Sequence, residues 1–208
     1  MQSYISAFVT IFVTIDAPGL APLFLALTAG MAREERKHVG LRAATIAFCI
    51  LLLFAVAGTE ILRFFGITIH AFRTAGGLLL FYIAFEMIFE KRQQRHERSA
   101  ERATTLEEMR NLAVFPLAIP LIAGPGAISA TILLGGTFPG LIERTALVGI
   151  IALNLLVVFA VFLLAERVEG FLGATGRIVL TRLLGIILAA LAVQFVADGI
   201  LALAGRSG

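Results

Sequence analysis

The chain contains one cysteine, no tryptophan, two tyrosines and six prolines in 208 residues. A lone cysteine cannot close an internal disulfide, and without a C-x-x-C pair it offers neither thiol–disulfide chemistry nor a cysteine-built metal site. Cys49 lies in the middle of an apolar run and reads as a small buried hydrophobe. His38, His70 and His96 fall in loops or at run edges and show no metal-ligand spacing, so neither a metal nor another cofactor is expected. Charge is scarce as well. Asp, Glu, Lys and Arg together make up 15%, with a net charge of +3. The basic residues stand mostly between apolar runs, a distribution that reports membrane topology rather than a nucleic-acid partner. With only Tyr4 and Tyr82 besides phenylalanine, an aromatic belt does not mark the membrane boundaries.

Apolar residues fill the space the charges leave. They form 59% of the chain, with a mean hydropathy of +0.97, against roughly 45–50% in a soluble domain. A membrane-spanning helix needs about 20 such residues in a row. Six spans are expected, at 4–29, 42–64, 68–89, 112–136, 142–165 and 178–203. The first run lacks a basic leader and exceeds signal-peptide length, so it is expected to be retained as a span. Residues 90–111 are too polar for lipid and are expected to form a solvated helix or a flexible linker.

Lysine and arginine set the orientation. Arg33, Arg36, Lys37 and Arg42 follow span 1, and Lys91, Arg92, Arg95, Arg98, Arg102 and Arg110 follow span 3. Arg167, Arg177 and Arg182 follow span 5, while the opposite side has only Arg63, Arg73, Arg144 and Arg206. The bias predicts those three loops in the cytoplasm and both termini on the outer, periplasmic side.

The halves echo one another. Pro18-Gly19 recurs as Pro125-Gly126 after 107 residues, Phe54-Ala-Val56 as Phe159-Ala-Val161 after 105, and Gly66 as Gly173 after 107. Arg73-x-x-Gly76 recurs as Arg182-x-x-Gly185 after 109. The expected fold is therefore an all-α membrane protein of six transmembrane helices, arranged as two inverted three-helix repeats with helices 1 and 4 broken. Residues 1–90 form the first repeat, 91–110 a cytoplasmic loop, and 111–208 the second repeat. Three spans per half oblige the second half to enter from the opposite side, as in many alternating-access transporters.

The breaks carry the chemistry. Asp16-Ala-Pro-Gly-Leu-Ala-Pro22 and Ala123-Gly-Pro-Gly126 interrupt spans 1 and 4 at matching places. Lipid supplies no partner to a free N–H or C=O, so unwound backbone at that depth lies inside protein or beside water. Such paired interruptions point to a transporter's binding site. Asp16 is the most deeply placed acid, and a charge there costs at least about 2.5–3.5 kcal/mol. Pro18 and Pro22 cannot complete a helix and are expected to release carbonyls such as that of Thr14. A second half-helix starting near Gly19 would offer its positive end to a carboxylate, while Asp16 and freed carbonyls would suit an ammonium group or a coupling cation. The plainer alternative is that Asp16 only caps that half-helix. At the second break Pro116 and Pro120 are expected to free the carbonyls of Leu112 and Pro116 on one face. Gly124, Pro125 and Gly126 then unwind the chain, and Ser129 and Thr131 follow as neutral donors; the alternative is a kinked packing helix.

Other polar residues are weaker candidates. Arg73 could meet a substrate carboxylate, pair with Asp16 or Glu60, or anchor at the interface. Gly76-Gly77 favours close helix approach. Gln194 and Asp198 share a face of the last span and, with Asp16, are candidates for ion coupling or gating; a solvated cap is the alternative for Asp198. Asn154 suits an interhelical hydrogen bond, and Glu60, Glu86 and Glu166, near span ends, suit interfacial solvation.

Asp16-x-x-Gly19-x-x-Pro22-x-Phe24, Ala71-Phe-Arg-Thr-Ala-Gly-Gly-Leu-Leu-Leu-Phe81, Phe115-Pro-Leu-Ala-Ile-Pro-Leu-Ile-Ala-Gly-Pro-Gly-Ala127, Leu191-Ala-Val-Gln-Phe195 and Asp198-Gly199 together resemble one family along nearly the whole chain. It is the MarC-like, or NAAT-type, group of integral inner-membrane proteins. The resemblance implies six spans, a bacterial inner (plasma) membrane, kinship with LysE-type exporters, and transport of small neutral amino acids such as glycine and alanine. Ala17 and Leu20 depart from the family's usual proline and frequent asparagine, which bears on the substrate more than on the fold.

The expectation is a secondary transporter rather than an enzyme. Its substrate-binding candidates are Asp16, Pro18, Gly19, Pro22, Arg73, Gly124, Pro125, Gly126 and Ser129, and its coupling ion is a proton or sodium. Two membrane acids, Asp16 and Asp198, invite comparison with an aspartyl protease, but they fall at different depths and lack a protease-like motif. Efflux of another small solute or drug, and a non-transporting scaffold or sensor, are the alternatives. Six short spans make a thin bundle, for which a homodimer is an open option.

Overall fold

A computed structural model of the chain describes residues 2–89, 112–138 and 140–205, and their regular elements are all helical. The loop expected over 91–110 lies outside these residues, as does Arg206. The elements are α1 (Gln2–Ile15), α2 (Ala17–Leu27), α3 (Arg33–Phe64), α4 (Ile69–Ile88), a proline segment (Ala113–Ile122), α5 (Pro125–Thr137), α6 (Leu141–Leu163) and α7 (Ala165–Ala204). Five stretches are long and apolar enough to cross a membrane, or six if the proline segment and α5, bent by 58°, count as one. These five or six candidate spans cover the expected stretches, with shifted ends. Arg33, Arg36 and Lys37 stand on the first turns of α3 rather than in a loop, because Glu34 and Glu35 favour a helix start there. Residues 165–172 are helical too, and the chain leaves the helix only at Gly173, whose φ is 59°.

Ser3–Leu27 is the central element, with 72% of its apolar window buried, against 17–39% for the other four stretches. One core cluster gathers Ile11, Leu20, Phe24, Leu51, Leu117, Leu147 and Ile151 around the side of this element that meets α3, α6 and the proline segment. A second joins Val13 to Leu80, Met87, Leu133 and Leu188 of α4, α5 and α7. The outer faces are apolar instead of charged: Leu53, Leu156 and Ile186 are each more than half exposed, as lipid contact requires. Cys49 is exposed on α3, which corrects its expected burial.

Helices without a hydrophobic driving force between them associate by close packing at small residues. α4 and α7 do this along their length. A methyl on Gly77 would lie 2.7 Å from Val196 Cγ2 and 2.9 Å from the Ala192 carbonyl. One on Gly185 would lie 3.0 Å from Met87 Cβ, and one on Gly199 2.8 Å from the Thr74 nitrogen. α3 packs on α6, and α1 packs on α5, α6 and α7.

Candidate functional site

At the first break a single residue leaves helical geometry. Asp16 has φ 58° and ψ 55°, the left-handed region, and is 3% exposed. Aspartate is among the few side chains that visit this region without large cost. Its Oδ1 accepts from the Gly19 nitrogen at 3.3 Å, and its carbonyl accepts from the Leu20 nitrogen at 3.1 Å. Gly19 permits this: a methyl there would collide with the Asp16 carboxylate, whose Cγ would be 2.8 Å away. The second half-helix begins at Ala17, not near Gly19, with Pro18 in its first turn and Pro22 in its interior. Proline is tolerated in a first turn because the missing N–H would have had no partner there. The amide expected to hold a ligand carboxylate is therefore already satisfied by Asp16, and capping is its visible role.

The second break differs. Phe115 and Ile119 are extended, at φ −131° and −127°, and the peptides to Pro116 and Pro120 are cis. A residue before proline is driven from helical to extended backbone. In place of a kinked α-helix with two freed carbonyls, wide turns form. Leu117 N donates to the Leu112 carbonyl at 3.3 Å and Ala123 N to the Ala118 carbonyl at 2.8 Å. The Leu112 carbonyl is thus not free. α5 then starts at Pro125, and Gly124 at its N-cap supplies no side-chain hydrogen bond.

A cavity of about 100 Å³ lies against this uncapped helix start. Gly124, Pro125, Gly126 and Ala127 form one wall, Pro120, Leu121 and Ile122 a second, Leu79, Tyr82 and Ile83 of α4 a third, and Thr14 of α1 closes it. A methyl on Gly126 would strike Ile83 Cδ1 and lie 3.1 Å from Thr14 Cγ2, so the glycine keeps the chain close to both. Thr14 Oγ1 donates to the Thr10 carbonyl at 2.5 Å, and Thr10 Oγ1 to the Ser6 carbonyl at 2.7 Å.

The expected site residues divide accordingly. Gly124, Pro125 and Gly126 line the cavity, whereas Asp16, Pro18, Gly19 and Pro22 do not. Ser129 is buried on α5 but faces α4, where a methyl on Gly76 would lie 2.7 Å from its Oγ. Arg73 is half-buried and outside the cavity, and Arg63 takes its expected partner Glu60 at 3.0 Å. Gln194 Nε2 donates to Asp198 Oδ1 at 2.7 Å on α7, away from the cavity. Asn154, 1% exposed, donates to the Ile150 carbonyl of its own helix at 3.0 Å instead of bridging helices. Glu86 is buried at 5% exposure, not solvated. It lies one turn beyond Tyr82 on α4. Sequence singled out only the carbonyl of Thr14, not its hydroxyl, and neither Tyr82 nor Ile83 as a site residue. The recurrence of Ser6, Thr10 and Thr14 at every fourth residue could have flagged that hydroxyl, since it builds one polar stripe leading to the break.

Similar sequences are found in a large group of proteins. The family model described as "MarC family integral membrane protein" matches residues 1–204. A "UPF0056 membrane protein" of Archaeoglobus fulgidus is 37% identical over 201 residues, covering 96% of this chain and 93% of the relative. "UPF0056 membrane protein YvbG" of Bacillus subtilis strain 168 is 34% identical over 196 residues, covering 94% and 93%. "UPF0056 membrane protein YhcE" of Escherichia coli strain K12 is 34% identical over 197 residues, covering 95% and 91%. No solved structure matches. The chain belongs to the MarC family of integral membrane proteins.

Proposed function

We propose that this protein is a secondary transporter of small neutral amino acids, with glycine and alanine as the model substrates, working in the bacterial inner membrane. The observation that carries the reading is the small cavity at the uncapped start of α5. Helix starts leave amide N–H groups without intrahelical partners and carry the positive end of the helix dipole. Half-helix starts at mid-membrane hold substrate carboxylates in transporters built from broken helices. Here the amides of Gly126 and Ala127 would take the carboxylate. The carbonyl of Pro120 would take the ammonium group. The buried Asp16, two residues from Thr14, would add negative potential without touching the substrate. A cavity of about 100 Å³ is well below the roughly 300–1,000 Å³ of pockets for drug-sized ligands, which favours a small solute over a bulky drug.

An inverted repeat is part of the proposal, and two features support it. Gly66 and Gly173, matched at 107 residues, both adopt positive φ, 69° and 59°. The counterpart spans also pack on one another: α1 on α5, α3 on α6, and α4 on α7. Kinship with LysE-type exporters, periplasmic termini, coupling to a proton or sodium, and a homodimer belong to the same proposal.

The test is flux of radiolabelled glycine and alanine into proteoliposomes, with and without proton and sodium gradients, for the parent and for Gly126→Val. Saturable flux lost in a folded Gly126→Val protein supports the reading and names the coupling ion. Absence of flux above empty liposomes, from folded parent protein, removes amino acids and shifts weight to another solute or to a scaffold.

A further inference from the structure

A second, larger cleft of about 820 Å³ opens where α3 begins, between the end of α2 and the α6–α7 junction. It shares no lining residue with the cavity at α5, and its size falls in the range of ligand pockets, roughly 300–1,000 Å³.

One rim is cationic. Arg33, Arg36, Lys37 and Arg167 line it, against the acids Glu34 and Glu166. Both acids are engaged: Arg36 Nη1 lies 2.6 Å from Glu166 Oε1 and Lys37 Nζ 3.7 Å from Glu34 Oε2. Among the described residues Arg33 and Arg167 have no ion pair, and the buried Nε of Arg36 has no hydrogen-bond acceptor. A buried donor without an acceptor is costly, and a ligand oxygen would relieve it.

The other wall is apolar, with Leu25, Phe159 and Leu163. Leu163 is 47% exposed, and its neighbour Leu164 45%. Exposed leucines beside arginines mark the level where hydrocarbon meets headgroups. The length of α3 agrees: 32 residues span about 48 Å, more than the roughly 30 Å hydrocarbon core. Its first turns therefore stand at headgroup depth. A free anion would need only the cations, whereas this cleft pairs them with a greasy wall.

We propose that the cleft binds one anionic phospholipid, with the phosphate on Arg33, Arg36 Nε and Arg167 and the upper acyl chain along Phe159 and Leu163. Basic pockets between helices at the membrane surface recognise such headgroups.

The experiment is native mass spectrometry of the whole protein in neutral detergent, titrated with phosphatidylglycerol, phosphatidylcholine or inorganic phosphate. The variants are Arg33→Gln, Arg167→Gln and their double; Arg63→Gln, exposed at the far end of α3, is the control. Arg33 and Arg167 are exposed, so the fold should survive, and thermal unfolding of the double variant checks it. The expected result is preferential retention of phosphatidylglycerol, weakened about fivefold by each single change and about 25-fold by both, with the control unchanged. Equal retention of the two lipids, or a double variant that binds like the control, overturns the proposal. Displacement of phosphatidylglycerol by equimolar inorganic phosphate also overturns it, in favour of a free-anion site.

Discussion

Phe24 of α2 and Phe162 of α6 lie face to face, with ring centroids 4.2 Å apart and planes within 4°. Gly40 of α3 is the floor beneath both, since a methyl there would be 3.3 Å from Phe24 Cζ and 3.5 Å from Phe162 Cδ2. Three elements are thus clamped at one point, above the apolar side of the cleft and beside the Arg36–Glu166 ion pair.

That clamp should register as coupling. In a double-mutant cycle of Phe24→Leu and Phe162→Leu, followed by unfolding in detergent, the two losses should fail to add by about 0.5–1.5 kcal/mol, the worth of an aromatic pair beyond its buried area. Additivity within about 0.3 kcal/mol would mean that the rings merely fill space.

Asp16 invites a series that separates shape from charge. Asparagine keeps the capping oxygen and tolerates the left-handed backbone, so Asp16→Asn should fold with stability close to the parent's. Asp16→Ala loses the cap, about 1 kcal/mol, and meets the left-handed penalty of about 1–2 kcal/mol, and its unfolding should shift accordingly. If the negative charge matters to the substrate, Asp16→Asn should lose most of its flux while remaining folded. Full flux in Asp16→Asn would reduce this residue to a cap.

The membrane spans were legible because a run of about 20 apolar residues has few other outcomes in a chain this hydrophobic. The breaks were legible too, since proline and glycine at mid-span disrupt a helix in any context. Their geometry was not. Capping by Asp16 was one of two readings the sequence left open, and the left-handed backbone at that one residue, which lets its carboxylate reach the Gly19 amide, was not legible. The α4 wall of the cavity was invisible for another reason: Leu79, Tyr82 and Ile83 are three apolar residues among many, and only packing selects their face. Packing likewise carried Glu86 inward and left Cys49 and the Gln194–Asp198 pair on the outside.

Gly126 offers a steric test of the cavity. Gly126→Ala should collide with Ile83 Cδ1 and push α4 from the start of α5. Overpacking of this kind typically costs about 1–3 kcal/mol. Shortening the opposing side chain with Ile83→Ala should restore part of the stability, whereas Ile83→Ala alone should destabilise by leaving a void. In transport, Gly126→Ala should lose flux and the double variant recover some of it. Two purely additive losses would place the methyl somewhere other than against Ile83.

Orientation can be decided at two positions. Lys37 is exposed near the start of α3, and Ile67, 42% exposed, follows its far end. With about 48 Å of helix between the two ends, they face opposite sides of the membrane. In a Cys49→Ala background, Ile67→Cys should react with a membrane-impermeant maleimide in intact spheroplasts, and Lys37→Cys only after permeabilisation. The reason is electrostatic: in the proposed topology the arginine-rich starts of α3 and α7 would stay on the cytoplasmic side, because translocating them is disfavoured. Cys49 itself should stay unlabelled in the parent, because its exposed face lies in hydrocarbon that the reagent cannot enter. The reverse pattern would invert the topology and place the arginine-rimmed cleft in the outer leaflet. Labelling of both positions in intact spheroplasts would contradict α3 as a single crossing.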